Sequence, residues 1–355
     1  MADTGEGFIS ARRRLLIGAA AAVACAAIPV ARAARDVNAR SFGARGDGRT
    51  DDTAALQAAL DAVSPGLVLR IPAGRYVIDA LRSLRPRPGS SVFLDEGAVL
   101  QAAPDDAERS AIIDLTDVSD VTIRGGRLVG NRDGHGGGGE WGHGIRVLAS
   151  NRIALSDIVI TDCWGDGVYV GARGKAGAAT PSRQVRLQRI TCSHNRRQGL
   201  SITVASDVVV DGCTFVDTIG TPPSSGIDIE PQRQGPARGI RILRSTLSRN
   251  DGCGIECSGD VHDLAIVDCV IEGNRTHGIL ARGVTGVVIR GCTIRRQGRQ
   301  GLVVARDVHD ATLDANDVRD NGTQWHAEPS GKNPRPNVQI DIPPGELHGS
   351  GSGQQ

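Results

Sequence analysis

Seven glycines, Gly144, Gly167, Gly199, Gly226, Gly254, Gly278 and Gly301, each open a short strand of the pattern Gly-Ile-x-Ile. Gly167-Val-Tyr-Val, Gly199-Leu-Ser-Ile and Gly226-Ile-Asp-Ile are representative. A second element alternates with them, an aliphatic triplet starting at Val121, Ile153, Val185, Val208, Ile240, Leu264, Val287 and Ala311. The step from triplet to glycine is 14 residues for Ile153, Val185, Ile240, Leu264 and Val287. The step back to the next triplet is 9 or 10 for Gly144, Gly199, Gly254, Gly278 and Gly301. A repeat of about 23 residues, with strands of period two and turn residues between, describes coils stacked on one another. The 47 glycines and 3% aromatic content suit short strands and tight turns.

Registering the coils on these anchors separates inside from outside. Five positions after each triplet start stand Ile158, Ile190, Cys213, Ser245, Cys269, Cys292 and Asn316. Seven positions after it stand Ile160, Cys192, Phe215, Leu247, Ile271, Ile294 and Val318. Both rows face inward, where free cysteine packs as a small hydrophobe. Buried thiols are therefore the reading for Cys269 and Cys292, with a disulfide between adjacent coils as the alternative. Ahead of the coils, Asp51-Asp52-Thr53 offers helix N-caps, and Leu56, Leu60 and Val63 fall on one helical face, giving a short cap. Strands are expected near Leu67–Ile71 and Val77–Leu81. From about residue 327 the chain turns polar and rich in Gly and Pro, and a loosely attached tail is expected.

The first 33 residues read as a targeting segment. Ser10-Ala-Arg12-Arg13-Arg14-Leu15-Leu16 resembles a twin-arginine export signal, and Ala31-Arg32-Ala33 is an A-x-A cleavage site. The apolar stretch between is about 16 residues, short of the roughly 20 that span a bilayer. The organisation is thus 1–33 signal, 34–326 solenoid and 327–355 tail. The mature chain is expected in the periplasm or secreted, with the twin-arginine translocase as its partner during export and no membrane attachment afterwards. Removing Arg12, Arg13, Arg14 and Arg32 from 41 basic residues leaves 37; removing Asp3 and Glu6 from 40 acidic ones leaves 38. So balanced a chain has no global field for nucleic acid, and no nucleic-acid partner is expected.

Val37-Asn-Ala-Arg-Ser-Phe42-Gly43-Ala-Arg-Gly46-Asp47-Gly48 continues through Asp51-Asp52-Thr53 to Leu60, and Ile71-Pro72-Ala73-Gly74-Arg75-Tyr76 follows. These segments resemble the leading motif of the pectate-lyase-like β-helix superfamily, which includes polygalacturonases, rhamnogalacturonases, alginate C5-epimerases and phage tailspikes. The resemblance covers roughly residues 36–322. It implies an all-β, right-handed parallel β-helix with a short N-terminal capping helix, and a polysaccharide or oligosaccharide partner. Catalytic motifs depart from the family. Asp251-Gly252-Cys253 resembles the polygalacturonase D-D-C segment with Gly252 in place of its second carboxylate. Thr276-His277-Gly278-Ile279 resembles its G-H-G segment, while Ser224-Ser225-Gly226-Ile227-Asp228 stands where N-T-D belongs. Gly130-Asn131-Arg132-Asp133 is similar to a segment of alginate epimerases, and Asp228-Ile229-Glu230-Pro231 has Glu230 where their D-P-H element has histidine.

In each Gly-Ile-x-Ile strand, x and the residue two later face outward. Down the stack, x reads Arg146, Tyr169, Ser201, Asp228, Glu256, Leu280 and Val303, and the second row Leu148, Gly171, Thr203, Glu230, Ser258, Arg282 and Ala305. Asp228, Glu230 and Glu256 thus converge on neighbouring coils, about 4.8 Å apart between strands and about 6.6 Å along one. Clustered carboxylates at such spacings suit glycosidase acid–base work and raise at least one pKa. Extra residues also border this strip, among them the 131–141 segment with Trp141; Trp164 and Tyr169 lie close by, and sugar rings stack on such aromatics. Asn131–His143 reads as a lid over the strip or as a weakly bound divalent-cation site. No ligand spacing for a tighter metal site appears, and no cofactor is expected.

The expected function is a glycoside hydrolase acting on an extracellular or cell-envelope polysaccharide. Asp228 and Glu256 would act as acid and base, Glu230 would tune them, and Arg146, Arg282 and His277 would contact substrate. The first alternative is a uronate-polymer lyase or C5-epimerase, with Tyr169, His143, His277 or Arg282 as base and Arg146 neutralising the sugar carboxylate. The second is a non-catalytic polysaccharide-binding or structural β-helix.

Overall fold

The computed structural model describes residues 36–231, 233–322 and 337–349. Residues 1–33, read as an export signal, lie outside them. Parallel strands build three ladders that run the length of the solenoid. In the first, Ile145, Val168, Leu200, Ile227, Ile255, Ile279 and Leu302 stand in register from coil to coil. The second carries the triplets, with Val121 opposite Ile153, Val185 opposite Val208 and Leu264 opposite Val287. The third aligns Ile160, Cys192, Phe215, Leu247, Ile271, Ile294 and Val318. The two inward rows read from the sequence are buried throughout, and seven cysteines, Cys163 to Cys292, are free thiols inside.

The anchor glycines are required by close approach of backbone to backbone. The N–H that follows each anchor donates to the carbonyl of the next anchor, for example Val168 to Gly199 at 3.1 Å and Ile227 to Gly254 at 3.0 Å. That bond draws the carbonyl over the glycine Cα. A Cβ placed on Gly167, Gly199, Gly226 or Gly254 would meet the next glycine's oxygen at 2.8, 2.6, 2.8 or 2.7 Å.

A polar row closes the corner ahead of the first ladder. Asn250 donates to Asn274 at 2.9 Å and to the Phe215 carbonyl, and Asn274 donates to Gln297 at 3.1 Å and to the Leu247 carbonyl. These amides satisfy backbone groups that the turn leaves unpaired inside the coil.

The expected capping helix forms as Thr53–Ala62 and buries Leu56 and Leu60, and its start is held by Asp51, which accepts from the Thr53 N–H at 2.9 Å. Asp52 turns away to accept from Arg45 and Gly46. The second leading strand is Gly74–Ile78 rather than 77–81, because the chain turns at Asp79–Ser83 and leaves Leu81 exposed. The described part of the expected tail, 337–349, is not loose. Val338–Ile340 pairs with Leu302–Val304, and Leu347–His348 pairs with Ala311–Thr312. Asn337 takes the anchor position, accepting from Gly301 and Leu302.

Replacing Gly226 with Ala should cost about 1–3 kcal/mol in urea denaturation, since the new methyl overlaps the Gly254 carbonyl. The same change at Gly138, where a Cβ meets nothing within 4 Å, should leave stability unaltered.

Candidate functional site

The first ladder carries the outward strip in the register the repeat implies. Arg146, Tyr169, Ser201, Asp228 and Glu256 stand opposite one another on five successive strands. Over its middle lies a cleft of about 370 Å³ lined by Arg109, Glu140, Trp141, Tyr169, Arg197, Ser201, Thr203, Asp228 and Glu230. Strand Arg109–Thr116 and the segment ending at Trp141 form one side, where the Arg109 guanidinium sits 4.1 Å from the Trp141 ring centre.

Asp228 lies at the floor, only 4% exposed. Burial pushes its pKa up to about 8, and the charges of Glu256 and Glu230 push the same way while Arg197 opposes them. A hydrogen-bonded chain ties it to its neighbour. The Gln198 side-chain amide donates to Asp228 Oδ2 at 3.1 Å and its carbonyl accepts from the Ser225 N–H at 2.8 Å. The Ser225 hydroxyl accepts the Cys253 N–H and donates to Glu256 Oε2 at 3.2 Å. Glu256 is half-buried beside the cleft, and Glu230 is exposed at its rim.

Beneath Tyr169 lies a second charged layer. Asp166, fully buried, accepts from Arg197 Nη1 at 3.3 Å on both oxygens, and the same nitrogen reaches Ser201 Oγ at 3.3 Å. Burial raises the Asp166 pKa to about 6 against the pull of Arg197. His143 stacks on Tyr169 with ring centres 5.0 Å apart, and its Nδ1 accepts the Asp166 N–H at 3.2 Å. Burial, and then the nearby arginines, hold its pKa near 3, so the imidazole is neutral. The Tyr169 hydroxyl pairs with Thr203 at 3.3 Å, and burial raises its pKa.

The structure brings together Asp228, Glu230, Glu256, Tyr169 and Trp141, with His143 behind them. It does not gather the rest. Arg146 is committed to Asp114, with bonds of 2.7 and 3.3 Å, and Arg282 and His277 sit on the coil beyond Glu256, outside the cleft lining. Trp164 is enclosed between the His135 ring at 3.9 Å and the Arg196 guanidinium at 3.7 Å. The segment read as a lid is fastened instead: Asn131 donates to Asp105, the Gly136 N–H to Asp106, and Trp164 Nε1 to the Gly139 carbonyl. Among the described residues no three His, Cys, Asp or Glu side chains are grouped as a metal site. Farther along the strip, Leu280 and Val303 pack with Cys253 in a small apolar cluster rather than facing open solvent.

Sequence reading missed Arg197, Gln198, Asp166 and Ser225. A signal was present: Asp166, Gln198 and Ser225 each stand immediately before an anchor glycine, a polar row at a buried position.

Residues 110–266 and 225–326 match the family described as "Right handed beta helix region", and residues 36–83 match "Rhamnogalacturonase A/epimerase, pectate lyase-like". The chain belongs to the right-handed β-helix family. Among curated proteins it is similar to the uncharacterized protein YclG of Bacillus subtilis, 30% identical over 73% of this chain and 49% of YclG. It is also similar to the mannuronan C5-epimerase AlgE5 of Azotobacter vinelandii, 26% identical over 78% of this chain and 26% of that protein. It therefore spans half or less of the length of these relatives. Among solved structures, the A-module of the A. vinelandii mannuronan C-5 epimerase AlgE6 superposes with a TM-score of 0.69 at 17% identity, over 85% of this chain and 79% of the module.

A raised Asp228 pKa has a signed consequence for stability. The unfolded carboxyl ionises near pH 4 whereas the folded one holds its proton to about pH 8, so its contribution is complete below pH 4 and is lost as pH rises through 8. The limiting slope is about 1.4 kcal/mol per pH unit. Denaturation of wild type and Asp228→Asn at pH 5 and pH 8 should therefore show the variant gaining on wild type at the higher pH.

Proposed function

We propose that this chain is an exported carbohydrate-active enzyme that cleaves glycosidic bonds of an extracellular or cell-envelope polysaccharide in the Asp228 cleft. One observation carries the reading: a buried carboxyl that keeps its proton to about pH 8 beside a second carboxylate on the adjacent strand. A protonated acid at neutral pH is what departure of a sugar oxygen requires. Asp228 donates that proton, and Glu256, oriented by Ser225, supplies the nucleophile or base. The two carboxyls project from opposed positions on neighbouring strands about 4.8 Å apart, which lets both reach one sugar ring. Glu230 adjusts the Asp228 proton, and Trp141 and Tyr169 offer sugar-stacking surfaces. With Asp228 neutral, Arg109 and Arg197 balance Glu140 and Glu230, and Glu256 and Asp166 tip the surroundings acidic, which favours an uncharged sugar in the cleft. No cofactor enters this chemistry. Export through the twin-arginine translocase places the protein in the periplasm or outside the cell.

A second reading is proton abstraction from a uronate polymer, by epimerisation or elimination. It draws on the mannuronan epimerases among the relatives and on Tyr169 standing in one cleft with Arg197. Burial, which raises the Tyr169 pKa, weighs against it.

Asp228→Asn and Glu256→Gln should each reduce reducing-end release from a glycan panel by about 10²-fold or more while leaving the fold intact. Unsaturated product ends, or solvent deuterium at C5 without chain cleavage, would replace hydrolysis with the second reading.

A further inference from the structure

Several arginines on the outer surface of this solenoid reach the carboxylate one coil back. Arg152 pairs with Asp120 at 2.5 Å, Arg189 with Asp157 at 2.6 Å, Arg244 with Asp211 at 2.5 Å and Arg249 with Asp217 at 2.8 Å. Arg183, Arg186, Arg238 and Arg241 do not. All four are exposed on the second ladder, on strands Thr180–Gln188 and Ala237–Leu243, and none makes a side-chain hydrogen bond or ion pair among the described residues.

Register explains why. The residues opposite Arg183 are Asn151 and Ser206, and those opposite Arg186 are Ala154 and Val209. Arg238 stands between Ser206 and His262, and Arg241 between Val209 and Ala265. No acid occupies any of those places. The side-chain oxygens of Asn151 and Ser206 bond to nothing, so they do not satisfy Arg183 either. Two carboxylates flank the group, Asp207 on the intervening strand over Gly239 and Asp263 beside Gly239 on the following strand, which leaves it with a surplus of two positive charges. The two pairs lie about 9.6 Å apart across the ladder. The strand between them presents Ser206, Asp207 and Val209, and the four long side chains border a shallow trough. Like charges this close are within about one Debye length of each other and gain from a bridging polyanion.

We infer that this face of the second ladder is a docking surface for an anionic polysaccharide, separate from the cleft on the first ladder. Arginine forks match carboxylate and sulfate groups, and arginine pairs about 9.6 Å apart across the ladder suit a chain that carries anions on alternate sugars. No aromatic side chain stands among the four arginines to stack a base, which sets the surface apart from single-stranded nucleic-acid platforms. Its role is to hold the protein on a charged matrix while the cleft works. It does not depend on which reaction the cleft performs.

Binding of the full chain to dextran sulfate, carboxymethyl-dextran and plain dextran tests this. Both anionic polymers should bind and plain dextran should not, with the stronger of the two telling sulfate from carboxylate. Affinity should fall roughly a hundredfold between about 50 and 200 mM salt if all four contacts form. The combined variant Arg183→Gln, Arg186→Gln, Arg238→Gln, Arg241→Gln should lose the binding and flatten the slope by roughly one per arginine, with an unchanged melting temperature. Arg244→Gln, which removes a paired arginine on the same sheet, should bind as wild type does. Undiminished binding by the combined variant, or tighter binding of single-stranded DNA through the same arginines, would overturn the inference.

Discussion

The contact between one anchor glycine and the carbonyl of the next sets the pitch of the whole solenoid. A bond of about 3 Å from the following N–H pulls each carbonyl over a bare Cα. No other residue type leaves that space, so strands of the first ladder stack without offset. Once they do, every other position inherits a register. Aliphatic and cysteine side chains fall on their own kind inside, amides fall on amides at the corner, and outward residues fall into straight columns. The solenoid holds together through many repeated small terms. Exposed Arg–Asp pairs between coils are each worth about 0–1 kcal/mol, whereas a buried aliphatic contributes about 1.5–3 kcal/mol.

The same register concentrates charge where water is scarce. Columns bring Asp228 against Glu256, and burial makes their joint ionisation costly, so one proton stays. Gln198 and Ser225 then give the two carboxyls different partners, an amide donor for Asp228 and a hydroxyl donor for Glu256. Beneath them the Asp166–Arg197 pair fixes a cation facing the acid.

Much of this was legible in the sequence because both periods, two along a strand and about 23 around the coil, act on every residue in regular structure. That logic placed Phe215 between Cys192 and Leu247, and Asp228 between Ser201 and Glu256. It failed where the chain is irregular. Arg197, Gln198 and Ser225 lie in turns ahead of the strands, where alternation does not apply. Arg109 reaches the cleft from a strand that carries no anchor glycine. The strand Val338–Ile340 escaped because Asn337 stands where the seven preceding coils have glycine, after a long polar stretch. Arg146 lies in the expected column but is neutralised by Asp114, one coil earlier in a strand the repeat did not flag.

Coil length varies in the two turns on either side of the first ladder, whereas the step from the second ladder to the third is constant. From Ile279 to Leu302 the chain takes 23 residues to return to the first ladder, but from Val168 to Leu200 it takes 32, and both arrive in the same register. The surplus leaves as the hairpin in which Ala172 and Arg173 pair with Pro181 and Thr180. A lineage can therefore lengthen, shorten or exchange such excursions without disturbing a single core contact. Selection on what the cleft accepts and selection on folding act on different residues, so such a scaffold can change its diet faster than it changes its shape.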